Sequence, residues 1–309
     1  SHSPNRSAFA ERCHLYIINY EVLTHWLPLL RTIGFQLVIL DECQYISNLY
    51  AKRTKSAIRL CDGVAHVIAT SGTPMTNSPV GLYPILRILQ PNQYKSFSSY
   101  AHEFCDPKLE QWGWTFKGAT NLDKLHSQLT PILIRRLKKD VLKDLPTNTR
   151  SVVPFRLGKG LKEYKDAQRD FVKWLIRNQK RSDPNTQAEG LAQMGCLKQL
   201  AGVAKIPTII RWIDDYLRSC DGKLIVFAIH RAVIAAYEEH YSNICVVVNG
   251  TVTGRKRDLA VEEFKNNRSK RLLFGNIRAA GVGLNLQVAR DSAFAEYAWT
   301  ATAHTQAEG

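Results

Sequence analysis

Two adjacent acids, Asp41 and Glu42, close the apolar run of LVILDECQ (37–44). The chemistry such a pair can do is metal-assisted phosphoryl transfer, in which one carboxylate holds Mg²⁺ while its neighbour orients or deprotonates the attacking water. An Asp-Glu pair taken alone is far more often a solvated turn after a strand. Two further stretches add to it. ATSGTPMTN (69–77) ends a second apolar run with small and hydroxyl residues, so that Ser71 and Thr73 can hydrogen-bond near the same sheet edge. AAGVGLNL (279–286) places Gly281 and Gly283 after RLLFG, where bare backbone can approach a phosphate closely. Each is ordinary turn chemistry by itself.

The elements that must position these residues are legible as alternating strands and helices. Leu37, Val38, Ile39 and Leu40 show no polar alternation, which predicts a strand covered on both faces, as inside a parallel sheet. The carboxyl end of such a strand is where open α/β sheets place their ligands. HLYII (14–18), LVILDE (37–42) and AHVIAT (65–70) read as strands, with helical stretches near 20–32 and 50–61 between them, so βαβ units are expected. From about 82 to 145 the pattern is mostly helical, interrupted by EQWGWTFKGAT. The break comes at LPTNTRSVVPF, where Pro146 and Pro154 bracket polar residues. A second alternation follows in KLIVFAIH (223–230), ICVVVNG (244–250), RLLFG (271–275) and SAFAE (292–296), with a helix near 256–268. RNQKRSDPNTQAEG (177–190) reads as an exposed loop. No internal repeat is visible.

Composition bounds the answer. The 309 residues, 45% hydrophobic and 22% charged, suffice for two domains of ordinary size, each with its own core. No apolar run reaches the ~18 residues of a membrane span, and SHSPNRSAFAERCHL lacks the apolar core of a signal peptide, so an intracellular protein with no membrane partner is expected. Seven scattered cysteines without a CxxC pair argue for free thiols in a reducing compartment, against a zinc site or a disulfide framework. The 42 Lys and Arg against 27 Asp and Glu leave a charge of +15, a field that attracts polyanions, nucleic acid foremost and an anionic membrane surface second. The histidines have no metal-like spacing, and no HExxH or Ser/His/Asp arrangement emerges.

In order and at these separations, DECQ, SGTP, a basic linker and a Gly-x-Gly-Leu-Asn-Leu segment resemble motifs II, III and V of the superfamily 2 helicases, specifically the SNF2-like branch, over nearly the whole chain. IINYEVL (17–23) is similar to motif Ib, and ILIRRLKKDVLKDLP (132–146) resembles the passage joining two motor lobes, with Arg135, Arg136, Lys138 and Lys139 in its basic positions. KLIVFAIHR resembles motif IV. VVVNGTVTGRKRDLAVEEF places Gly250, Arg257 and Phe264 around the start of the next helix. GWTFKGATNLDKLHSQL together with FAEYAW looks most like the bacterial and annealing-helicase-like members.

The resemblance implies two RecA-like lobes, residues 1–146 and 147–309, that close on ATP and track along double-stranded DNA. Asp41 would coordinate Mg²⁺ through water, Glu42 would polarise the hydrolytic water, and Gln44 would sit near the nucleotide. Ser71, Gly72 and Thr73 would couple nucleotide state to lobe closure. Gly281, Gly283, Asn285 and Gln306 would face nucleotide or DNA backbone, while Arg135, Arg136, Lys138 and Arg257 would contact DNA. The protein would be cytoplasmic or nucleoid-associated in a prokaryote or phage, and nuclear in a eukaryote.

The departures from the family pattern are Cys43 in place of a small residue, Ala301 in place of proline and Gly309 in place of an acid. A GxxxxGK[ST] phosphate cradle is expected before motif Ib and is not among the residues; GKG (158–160) and GK (222–223) lack the following Ser or Thr. Paired arginines are expected after TQAEG. On this reading the chain is an internal stretch of a longer motor and hydrolyses ATP hardly at all by itself. The rival functions are a non-catalytic DNA-binding scaffold that keeps the fold, and a nuclease or recombination subunit that borrows the helicase core.

Overall fold

The structure, a computed structural model, describes residues 13–75, 78–110, 113–136, 138–141, 149–155, 160–178, 184–252, 254–281, 284 and 286–308. The chain forms two compact units, Ser1–Thr147 and Asn148–Gly309.

The first unit begins with α1 (Leu23–Leu30), whose Leu23, Leu27 and Leu30 recur at helical spacing and are buried. Strand β1 (Leu37–Leu40) pairs in parallel with β2 (His66–Ala69), in the register Leu37↔His66 through Leu40↔Ala69. Between them lies α2 (Lys52–Cys61), which buries Thr54, Ser56, Ala57 and Cys61. The Thr24 and Ser56 hydroxyls, 3.0 Å apart, tie α1 to α2. Then come α3 (Tyr83–Leu89), α4 (Phe97–Phe104), an antiparallel hairpin of β3 (Lys108–Glu110) and β4 (Gly113–Thr115), α5 (Leu122–Leu129) and the single turn α6 (Lys138–Val141). The hairpin occupies the Trp- and Gly-rich interruption of the helical region, and Trp114 on it packs edge-on against His102 of α4.

Two sequence expectations for this unit fail. HLYII (14–18) forms no strand, and its Leu15 and Ile17 are exposed. A strand exists only where a neighbour completes its hydrogen-bond ladder, and none does so here among the described residues. Leu37–Leu40 is not covered on both faces either: Leu40 is buried, but Leu37 and Ile39 are 45% and 58% exposed. The described sheet has two strands. Val38, Leu40, Val67 and Ala69 pack into the core built with α1, α2 and α3, while the face carrying Leu37, Ile39 and Ile68 is open.

The second unit opens with α7 (Leu161–Asn178) and α8 (Pro184–Ser219), a pair of long contacting helices. The stretch read as a loop over 177–190 is thus helical from Pro184 onward; polar composition marked exposure there, and exposure does not preclude a helix. A four-stranded parallel sheet follows, built from β5 (Leu224–Ala228), β6 (Cys245–Val248), β7 (Leu272–Asn276) and β8 (Asp291–Phe294) in the order β6-β7-β5-β8. The connecting helices are α9 (Arg231–His240), α10 (Arg255–Asn266) and the short α11 (Ile277–Ala280); α12 (Ala301–Glu308) comes last. This sheet is covered on both faces. Leu224, Val226 and Ala228 of β5 join the core of α8 and α9, while Ile225 and Phe227 join the core that holds Val261 and Phe264 of α10. All five β5 residues are buried, as their unbroken apolar run requires.

Candidate functional site

The parallel register brings the ends of β1 and β2 side by side, so the residues just beyond them meet. Thr70 donates its amide to the Leu40 carbonyl (2.9 Å) and accepts from the Cys43 amide (2.9 Å), which carries the ladder one step past the strands. Its hydroxyl donates to Oδ1 of Asp41 (2.7 Å). From the other side the Tyr20 hydroxyl donates to the Asp41 carbonyl (2.8 Å). Burial, with the charges of Asp41 and Glu42 nearby, pushes the Tyr20 phenol well above its ordinary range, so it remains a donor.

Glu42 then turns the chain in the left-handed region, with φ 49° and ψ 51°. For a residue with a Cβ this costs on the order of 1 kcal/mol and persists only where the surroundings over-determine it. They do so here. The turn Cys43–Ile46 buries Cys43 and Ile46, and α2 fastens it through Thr54 Oγ1 to the Ile46 carbonyl (3.2 Å) and Arg53 Nε to the Tyr45 carbonyl (2.7 Å).

A hydrogen-bond relay crosses from one strand end to the other. Gln44 Nε2 donates to Glu42 Oε2 (2.5 Å), Ser71 Oγ donates to Gln44 Oε1 (2.5 Å), and the Thr73 amide donates to Ser71 Oγ (3.0 Å). Its polarity is fixed, because an ionised carboxylate only accepts and so must face the nitrogen of the amide. Gly72 lies between the two hydroxyl residues with open space where a Cβ would stand. The structure therefore brings Asp41, Glu42, Gln44, Ser71, Gly72 and Thr73 together.

The donor set suits Mg²⁺. Asp41 is exposed and offers hard carboxylate oxygens, and among the described residues no cluster of three or more His, Cys, Asp or Glu could cage a metal. Mg²⁺ in phosphoryl-transfer sites is commonly held this way, by one or two carboxylates with waters and substrate phosphates completing the octahedron. A phosphate cradle is harder to find. Of GKG, only Gly160 is described. Lys223 of the other GK pair is turned inward, where its ammonium donates to the carbonyls of Phe264, Asn267 (2.8 Å) and Lys270 (2.9 Å) and caps the end of α10.

In the second unit Gly281 is buried, and a Cβ there would lie 2.3 Å from the Ile277 carbonyl oxygen and 3.0 Å from Ala307 Cβ. The backbone of α11 itself, with Ala307 of α12 packed close behind, thus accounts for this glycine. Gln306 is half-buried on α12, the helix that supplies Ala307. Gly283 and Asn285 lie outside the described residues. Arg257 is half-buried and donates Nη2 to the Ala279 carbonyl (2.8 Å), tying α10 to the segment before Gly281. Arg135 and Arg136 are exposed in the irregular stretch after α5, and Lys138 opens α6.

Sequence reasoning missed three groups: Thr70, Tyr20 and the pair Glu296 and His230. The Glu296 side chain, on a residue only 4% exposed, accepts from the amides of Ile229 (2.8 Å) and His230 (2.9 Å) and contacts His230 Nδ1 (2.5 Å). The available signal was an acid just past a strand end, Glu296 two residues beyond Phe294, much as Asp41 follows Leu40.

The fold and site define an α/β protein with parallel sheets that gathers an acidic pair and a hydroxyl-rich turn at one sheet edge. The SNF2-related domain matches residues 2–202. The chain belongs to that family. It is 30% identical over 305 residues to the mouse (Mus musculus) DNA annealing helicase and endonuclease ZRANB3, covering 94% of this chain and 28% of that protein. It is 29% identical over 278 residues to the Xenopus tropicalis SWI/SNF-related matrix-associated actin-dependent regulator of chromatin subfamily A-like protein 1, covering 89% of this chain and 29% of that one. The chain thus spans under a third of the length of either relative. Among solved structures, the Sulfolobus solfataricus SWI2/SNF2 ATPase core in complex with dsDNA aligns with 89% of this chain and 60% of its own, at 20% identity and a TM-score of 0.42.

Proposed function

We propose that this chain is part of an ATP-dependent motor that translocates on double-stranded DNA, acting in DNA repair or nucleoprotein remodelling. The observation that carries the reading is the relay from Glu42 through Gln44 to Ser71 and Thr73. It joins the acid suited to polarise water with the turn suited to report nucleotide state, which is what a device converting hydrolysis into movement needs. In this reading the two units are RecA-like lobes. Asp41 would hold Mg²⁺, and Glu42 would orient the attacking water. Bound Mg²⁺·ATP supplies a polarised γ-phosphoryl group; the chain's own part is positioning and charge stabilisation.

In this reading Gly281, Gly283, Asn285 and Gln306 serve contacts to nucleotide or DNA backbone in the second lobe. Arg135, Arg136 and Lys138 meet DNA phosphates, contacts that give affinity without sequence preference. Arg257 supports the Gly281 segment from behind. The relatives named for DNA annealing and chromatin regulation favour a location with the DNA, the nucleus in a eukaryote and the nucleoid in a prokaryote or phage. Because the 309 residues contain no GxxxxGK[ST] loop, they bind ATP weakly by themselves.

The test is Glu42→Gln in the complete motor. It keeps the size and the bond to Gln44 while removing the charge, so ATP and duplex binding are expected to persist and turnover to vanish. Hydrolysis at near the original rate would remove Glu42 from the mechanism. In the complete motor, duplex binding with no hydrolysis before substitution would favour the DNA-binding scaffold instead.

A further inference from the structure

We propose that Thr70 is a positioning residue for Asp41, setting the direction in which its carboxylate presents oxygen to Mg²⁺; the inference rests on the reading of Asp41 given above. All three polar groups of Thr70 are spent on the segment 40–43: its amide on Leu40, its carbonyl on the Cys43 amide and its hydroxyl on Asp41 Oδ1 at 2.7 Å. The two backbone bonds fix its Cα at the edge of the sheet. The β-branched side chain has few χ1 options, and a hydroxyl has a single hydrogen to give, which goes to the carboxylate.

Asp41 needs such a partner. A carboxylate is free to turn about its last side-chain torsion, and this one is exposed. The Tyr20 hydroxyl holds the Asp41 carbonyl at 2.8 Å, and the left-handed turn at Glu42 fixes the next peptide, so the backbone is set from both sides. Thr70 adds the missing constraint on the side chain. It leaves Oδ2 of Asp41 and one lone pair of Oδ1 for metal-bound water. A purely structural role accounts poorly for the bond, because both side chains are exposed and water would satisfy either one.

The experiment, made in the complete motor, compares the unsubstituted protein with Thr70→Val and Thr70→Ser. One readout is the rise in melting temperature when Mg²⁺ is titrated into protein saturated with ATPγS, against ATPγS in EDTA. The second is the Mg²⁺ dependence of hydrolysis with duplex DNA present. Thr70→Val is isosteric and keeps both backbone bonds, so its melting temperature without ligand is expected to match the original. Its half-saturating Mg²⁺ concentration is expected to rise about tenfold in both readouts, the usual size of a lost partner behind a metal ligand. Thr70→Ser, which keeps the hydroxyl, is expected to restore it. An unchanged Mg²⁺ dependence in Thr70→Val overturns the inference, as does a loss of melting temperature with no change in Mg²⁺ dependence. If the unsubstituted complete motor itself shows no response to Mg²⁺, the assignment of Asp41 fails and the inference falls with it.

Discussion

Ser71 donates its hydroxyl hydrogen to one end of the Gln44 amide at 2.5 Å, and the other end of the same amide donates to Glu42 at 2.5 Å. A single side chain thus spans the gap between two strand ends and reports the position of each to the other. Gln44→Leu keeps the volume and removes both bonds. It is expected to lower DNA-stimulated hydrolysis about tenfold, as loss of an orienting partner commonly does, and to spare duplex affinity. The check is the ratio of hydrolysis with DNA to hydrolysis without it. If both fall in equal proportion, the relay only supports Glu42 and carries no signal to Ser71.

The cysteines give a chemical map of the fold. Burial pushes the thiols of Cys43 and Cys105 up to about 11 and that of Cys61 to about 12. Cys13 and Cys196 are exposed. Because the thiolate is the reactive form, iodoacetamide at neutral pH is expected to label Cys13 and Cys196 first, and Cys43, Cys61 and Cys105 only after unfolding, as read by peptide mass spectrometry. The raised values also fix the sign of a pH effect. Unfolded thiols lose their protons near 9, while the folded ones keep theirs until about 11 to 12. Their contribution to stability is therefore fully present below 9 and is lost as pH rises through the folded values. The melting temperature is expected to fall over that window, and Cys61→Ala to make the fall shallower.

Much of this was legible in the residues, and the failures have a common cause. LLF (272–274), LIVFA and CVVV are unbroken apolar runs and lie in a sheet covered on both faces. LVIL is written the same way, yet its Leu37 and Ile39 are exposed. An apolar run states what a strand tolerates being covered by, and it says nothing about which element does the covering. HLYII failed for a related reason, since strand formation depends on a neighbour that no local pattern names. The acidic pair and the hydroxyl turn were visible as types and spacing. That Thr70 reaches Asp41 was not, because the contact depends on the register Leu40↔Ala69, which only the paired strands define.

Glu296 offers a test of the second unit's construction. Its buried carboxylate holds the end of β5 and the start of α9 through the amides of Ile229 and His230, and it meets the His230 ring. A Cβ added at Gly202 of α8 would lie 2.2 Å from Glu296 Oε1, so the packing around this acid is tight. Glu296→Ala strands two part-buried amides and a ring nitrogen at once, and is expected to cost about 3 kcal/mol. Glu296→Gln keeps acceptor capacity and is expected to cost roughly half as much. Urea titration followed by circular dichroism reads both. Equal losses would show that the charge, and not the geometry of acceptance, is what matters at this position.

Duplex affinity should report charge at the surface and leave buried cations silent. Each phosphate neutralised steepens the fall of log affinity with log salt by about 0.9 for B-form DNA. Arg135 and Arg136 are exposed, so replacing either with alanine is expected to reduce the slope by about one and to weaken binding evenly across sequences. Arg257 is equally cationic, but its guanidinium is half-buried and donates to the Ala279 carbonyl. Arg257→Ala is accordingly expected to leave the slope nearly unchanged and to lower the melting temperature, because a charged donor leaves a part-buried carbonyl unpaired at a cost of about 1 kcal/mol. Fluorescence anisotropy with a labelled duplex over a range of KCl concentrations separates the two roles. A slope that drops for Arg257→Ala as much as for Arg135→Ala would place the Arg257 side chain on DNA, and a slope near zero in the unsubstituted chain would mean that phosphate contacts do not drive binding at all.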